Sequence, residues 1–259
     1  SRLSCIVKSN TDFGGLIGVW VYYTMETTEL WNKTLKAAVA LPVVKVDRIE
    51  FIQKELAPYC TSEQIALAIS DSPTKVLTKI QLNKIANGCI NWHTTLVCSA
   101  SALSGLPGGW FLAAAIPADI AQFYAHIFAL TQKLLYLYGW PDLQDEKGKL
   151  NDETANILTL FVGAMMGSRE AVQAINAITK ALAEQVVKRL PKIALTQFAF
   201  YNVAKQVGKW IGIKLTKDSF AKGAGKVIPL IGAPISAALT YWTFKPMASK
   251  LKKQLDSNL

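Results

Sequence analysis

The chain has 259 residues, 51% of them hydrophobic and 18% charged, with a net charge of +10 at neutral pH. That length is ample for a real core, and the charged share lies below the roughly one quarter usual in soluble domains, which excludes a disordered or acidic solvating chain. The charge is lopsided: residues 1–170 carry 14 basic and 15 acidic side chains, whereas residues 171–259 carry 14 and 3, so the basic excess belongs to the last third.

In chain order, Phe13–Met25 is apolar but, at thirteen residues, shorter than the roughly 20 a spanning helix needs. Thr27 or Thr28 caps a predicted helix to about Ala40, with Leu30, Trp31, Leu35 and Ala38 on one side. Val46–Leu56 is a second amphipathic segment whose inner stripe reads Ile49, Ile52, Leu56. Thr61-Ser62-Glu63 starts a third helix. Ser72-Pro73, an N-cap followed by proline, predicts the start of a long helix running to about Ser104.

From Ile85 to Ala118 there are 34 residues without Asp, Glu, Lys or Arg. Gly105, Pro107, Gly108, Gly109 and Pro117 divide the run, which therefore reads as a buried helical hairpin, or one dipping into a single leaflet, rather than a simple span. Ile116–Leu143 follows as the helix around which the chain is organised. Gly139 and Pro141 stop it, and Ile120, Tyr124, Ile127, Phe128, Leu134 and Leu135 are its expected core residues. Ala114, Ala118, Ala121 and Ala125 form a small-residue stripe open to a close neighbour.

Asn151 caps a helix through Met166 that carries Gly163-Ala-Met-Met-Gly167, a weak GxxxG pattern. Ser168 starts the next helix, which Pro191 breaks. Lys192–Leu215 is apolar around most of its circumference, Val227–Phe244 is uncharged, and a last helix interrupted by Pro246 ends in Lys250, Lys252 and Lys253. No strand pattern appears. The expected fold is all-α, one compact multi-helix domain with Gly/Pro-broken apolar hairpins, in which residues 1–72 pack as N-terminal helices on a core of residues 73–259.

Gly105-Leu-Pro-Gly-Gly109, Ile116-Pro-Ala-Asp119, the helix end Tyr138-Gly139 and Val227-Ile-Pro-Leu-Ile-Gly-Ala233 together resemble the EcsC family of bacteria, over roughly Pro73 to Ala248. The resemblance implies an all-helical bacterial protein of undefined activity. The family's namesake is encoded with an ABC transporter, which implies a place at the cytoplasmic face of the membrane. It carries over no catalytic residues.

On the central helix Asp119, Gln122, His126 and Lys133 share a narrow stripe, the best candidate for a ligand site. A solvated face or a satisfied polar network would give the same pattern. It suits a metal poorly, because Asp119 and His126 lie two turns apart and His93 is the only other histidine. No GxSxG elbow, Walker loop or dinucleotide fingerprint occurs, so neither a catalytic residue nor a cofactor is assigned. The basic last third, led by Lys205, Lys209, Lys214, Lys217, Lys222 and Lys226 with Ile228–Leu239 as apolar contact, suits anionic lipid headgroups or a membrane protein complex. Nucleic acid is disfavoured for want of a binding motif.

Two function classes follow. One is a non-enzymatic peripheral membrane protein. The other is an enzyme or apolar-ligand carrier with a pocket near Asp119 and His126. Cys5, Cys60, Cys89 and Cys98 lack CxxC spacing and read as free thiols of a reducing compartment, and no secretory signal pattern opens the chain. The expected location is cytoplasmic and membrane-associated.

Overall fold

A computed structural model describes residues 27–104, 118–144, 150–184, 198–223 and 232–259. Among them lie nine α-helices and no strand: α1 (Thr27–Val39), α2 (Arg48–Leu56), α3 (Ser62–Ser70), α4 (Lys79–Ser104), α5 (Ala118–Leu137), α6 (Asp152–Met166), α7 (Arg169–Glu184), α8 (Phe198–Gly223) and α9 (Gly232–Asp256). Two short 3₁₀ turns, Pro42–Val44 and Pro73–Lys75, link the early helices. The all-α expectation holds. No helix among the described residues is long and apolar enough to cross a membrane.

α5 is the axis. From Tyr124 to Tyr138 every side chain but that of Lys133 is buried. Such a helix, apolar around nearly its whole circumference, must be enclosed by others. α1, α2, α4, α6 and α9 all pack on it. Phe123 of α5 meets Phe244 of α9 edge-on, ring centroids 5.6 Å apart, and further along the Tyr138 hydroxyl donates to Asp256, so these two helices run parallel. α4 runs against both. Its Asn83 accepts from Lys252 beside that same end, and its His93 lies next to His126 further up α5.

A second junction ties α1, α6 and α8. The Trp31 indole N–H donates to Thr159 Oγ1 at 3.0 Å. A Cβ on Gly208 of α8 would come within 2.8 Å of Trp31, so glycine is what admits the indole. α1 and α2 contribute to the same core cluster as the described helices after residue 73.

The caps show why the helices begin and end where they do. Asp47, Thr61 and Asn151 accept from the first-turn amides of Glu50, Gln64 and Thr154 at the starts of α2, α3 and α6. Gly139 closes α5 with φ +85° and Gly167 closes α6 with φ +97°. In both, the next residue's amide reaches back five positions, Trp140 to Leu135 and Ser168 to Gly163.

Several sequence expectations change. Ser72-Pro73 opens only a 3₁₀ turn; α4 starts at Lys79, where Thr78 and Gln81 exchange side-chain and backbone bonds as a capping box. On α2 the buried stripe is Phe51, Ile52 and Leu56, with Ile49 exposed, because α5 and α3 cover the α2 surface from two sides. Ile120 is half-buried, at the less covered start of α5, while the other five expected core residues of that helix are buried.

Pro246 does not interrupt α9. It sits on the exposed side together with Trp242, whose carbonyl has no helix donor at Pro246 because proline lacks an N–H. The GxxxG pattern divides into two roles: Gly163 is the close-packed one, where a Cβ would fall 2.3 Å from Val207 of α8, and Gly167 is the cap. The Gly/Pro segment before α5, residues 105–117, and Pro191 lie outside the described residues.

Candidate functional site

The polar stripe of α5 divides in three dimensions. Gln122 is exposed, His126 is buried and Lys133 is half-buried, while the Asp119 side chain lies outside the described residues. What the fold adds is His93. It projects from α4, one turn beyond Cys89, and its Nδ1 lies 3.1 Å from Nδ1 of His126. The rings meet edge-on with centroids 5.4 Å apart. His93 is only 1% exposed, and its Nε2 is buried with no hydrogen-bond partner.

Two Nδ1 atoms bond only if one carries the proton and the other does not, so the rings hold opposite tautomers. A buried N–H without an acceptor is dearer than a bare ring nitrogen. The arrangement that avoids one makes His93 the Nδ1–H donor and leaves its Nε2 unprotonated; His126 accepts at Nδ1 and carries its own proton on Nε2.

Electrostatics holds the pair neutral. Burial first, then the nearby Lys133 ammonium and His126, push His93 down to about 3. Burial and Lys133 lower His126 as well. Cys89 is pushed up to about 12, chiefly by burial and next by the Glu55 carboxylate, so its thiol stays protonated. Lys133 itself extends toward the Phe51 ring, 6.0 Å from its centroid.

The chemistry this set can perform is narrow. It offers neither a thiolate nor an activated hydroxyl, and among the described residues no group of three or more His, Cys, Asp or Glu is placed to hold a metal ion. The pair was within reach of sequence reasoning. In two antiparallel helices consecutive in the chain, residues roughly equidistant from the middle of the connecting segment lie opposite one another, as His93 and His126 do.

The basic residues sort just as clearly. On α8, Tyr201, Lys205, Lys209 and Ile213 recur every four residues, and all four are exposed. Asn202 and Gln206 complete that surface. Lys214 is committed elsewhere: its ammonium lies 4.3 Å from the Trp210 ring centroid and reaches the Met166 carbonyl at the C-terminal end of α6. The side chains of Lys217, Lys222 and Lys226, and those of Ile228–Leu239, lie outside the described residues.

A groove of about 260 Å³ opens between α6 and α9, floored by Phe161, Met165 and Leu251 and edged by Lys250 and Lys253. It includes neither His126 nor its neighbours. Its floor side chains are already 98% or more covered, so it offers little apolar surface to a ligand. No family model, curated protein or solved structure matches the chain.

Proposed function

We propose that the protein is a non-enzymatic helical protein of the EcsC type that binds reversibly to anionic membrane surfaces. On this reading it works at the cytoplasmic face, as accessory to a membrane complex or as a membrane-perturbing factor. The α8 stripe is the observation that carries the reading. Tyr201 and Ile213 bracket Lys205 and Lys209 on one exposed face, and the only acidic residue between Phe198 and Gly223 is Asp218, beyond the stripe. An aromatic ring and a branched alkyl group at the headgroup boundary, with ammonium groups between them, suit an amphipathic surface contact. The uneven charge supports it: residues 171–259 hold 14 basic and 3 acidic side chains. The EcsC kinship itself rests on the sequence motifs. The competing idea of an apolar-ligand carrier near His126 draws no support from the groove, which lies between α6 and α9.

Flotation with phosphatidylglycerol-containing and pure phosphatidylcholine vesicles tests the reading. Two lysines near an anionic leaflet contribute about 1 kcal/mol each, so the double variant Lys205→Gln/Lys209→Gln should bind anionic vesicles about thirtyfold more weakly, and wild-type binding should fall as salt rises. Equal binding to both vesicle types, or binding indifferent to the substitutions, contradicts it. An absence of binding to either leaves the stripe a solvated face.

A further inference from the structure

At the His93–His126 contact a single proton lies between α4 and α5. We propose that this contact is an acid-sensitive latch: protonation of the pair loosens α4 from α5 and exposes the inner apolar face of α4, while the rest of the bundle stays folded. The inference is independent of the membrane reading above.

The 3.1 Å contact between the two Nδ1 atoms needs one proton between them. A first added proton can keep that bond, as an imidazolium donating to a neutral ring. It does so only by placing a proton on His93 Nε2, the atom that is buried without an acceptor, whichever ring becomes the imidazolium. A second added proton puts an N–H on both facing nitrogens and abolishes the bond. Either step places positive charge beside Lys133 in a site shielded from water.

The neighbouring elements offer little relief. α5 contributes the Lys133 ammonium, and α4 the protonated Cys89 thiol. α2 contributes Glu55, whose charge acts on Cys89 but is not among the groups acting on either imidazole. α9, packed along α4 with Lys252 opposite Asn83, brings Tyr241 and Lys245 to the level of His93, and these bond each other at 3.0 Å on the outer surface. α1 brings Trp31 against Tyr124 and Phe128 on α5, and its Glu29 and Lys33 pair with each other in solvent. Among the described residues no carboxylate bonds either ring.

α4 is suited to release. From Ile85 to its end it carries no charged side chain that would resist moving apolar surface. It also carries an outer row of polar side chains, Asn87, Asn91, Thr95 and Ser99, that keeps it soluble once it is loosened. The sign follows from linkage. Both imidazoles are held neutral in the closed state, below their usual value near 6.5, so the open state takes up protons first as pH falls. The stabilising contribution is complete above about pH 6.5 and is lost as the pH drops toward 3. Each histidine raises the open-to-closed ratio by up to about tenfold per pH unit across that window.

Amide hydrogen exchange of the full chain between pH 7.5 and 4.5, corrected for intrinsic exchange rates, tests the latch. Expected is a rise in α4 and adjoining α5 opening as pH falls below 6.5, approaching about tenfold per pH unit from His93 with a further contribution from His126, ahead of α6 and α7, and the loss of that dependence in the double variant His93→Leu/His126→Leu. A double variant with the wild-type pH dependence overturns the proposal. Should the variant fail to fold, wild type alone decides. Exchange that accelerates first in α4 and α5 supports the latch; exchange that accelerates equally in all helices, or in none, overturns it.

Discussion

α5 receives polar side chains at two levels, and the two are built in opposite ways. Toward its C-terminal end Gln132, fully buried, donates to the Val44 and Phe128 carbonyls and sits 3.5 Å from Gln144, whose amide donates to Val46. The Tyr136 hydroxyl donates to Asp142 and accepts from the Leu143 amide. Arg48 reaches the Ile69 and Trp140 carbonyls with Asp142 beside it, although burial draws its guanidinium below its usual value. This lower level is satisfied group by group, and the amides of Gln132 and Gln144 hold the chain around the first 3₁₀ turn to the end of α5. Higher up, the histidine pair shares one proton and leaves a ring nitrogen with nothing. A satisfied network fixes one structure, whereas an incomplete one leaves a low-cost way out of it.

Substitutions should separate the two levels. Phe128→Ala sets the scale for apolar loss between them, with an expected cost of about 3–5 kcal/mol in urea unfolding, because the ring is fully buried against Trp31 and Tyr124. A loss under about 1 kcal/mol would mean that the site is loosely packed. Gln132→Met, which keeps the bulk but strands the Val44 carbonyl, should cost about 1–3 kcal/mol, by an amount that does not change between pH 5 and 8. Tyr136→Phe removes one hydroxyl from a satisfied site and should cost about 1 kcal/mol, again without pH dependence in that range, since burial and Asp142 hold the phenol well above its usual value. The smallest effect at pH 7.5 belongs to His93→Leu/His126→Leu. Replacing both partners removes the orphaned nitrogen as well as the bond, so stability should stay within about 1 kcal/mol of wild type at that pH. At pH 5 the variant should be the more stable protein, because each histidine costs wild type up to about 1.4 kcal/mol per pH unit below 6.5. A double variant less stable than wild type at both pH values would make the pair an ordinary structural contact.

The sequence showed its helices where local signals were complete. Asn151 before a hydrophobic run, Thr61 three residues before Gln64, and Gly139 after a long apolar stretch each carry their cause within a few residues. It misled where the deciding partner was distant. Ser72-Pro73 has the chemistry of a helix start, yet Thr78 with Gln81 supplies a second cap just downstream, and α4 uses that one. Ile49 fits the spacing of an inner stripe, but which side of α2 is covered depends on α3 and α5. The stripe from Asp119 to Lys133 was legible as a row on one helix, and its break was not, because exposure at Gln122 and burial at His126 are set by α4 and α9. Likewise Lys214 looks like its neighbours Lys205 and Lys209 in the sequence. Only the end of α6, meeting α8 at Met166, takes it out of the exposed set.

In the latch the histidines are neutral, unequal and coupled while the protein is folded. Imidazole nitrogen NMR of ¹⁵N-labelled protein tests it most directly. At pH 7.5 the two rings should both be neutral, one with its proton on Nδ1 and the other on Nε2, and as pH falls neither should titrate until the exchange-detected opening of α4 begins. A histidine that titrates alone near 6.5 in a protein whose α4 remains closed would contradict the account.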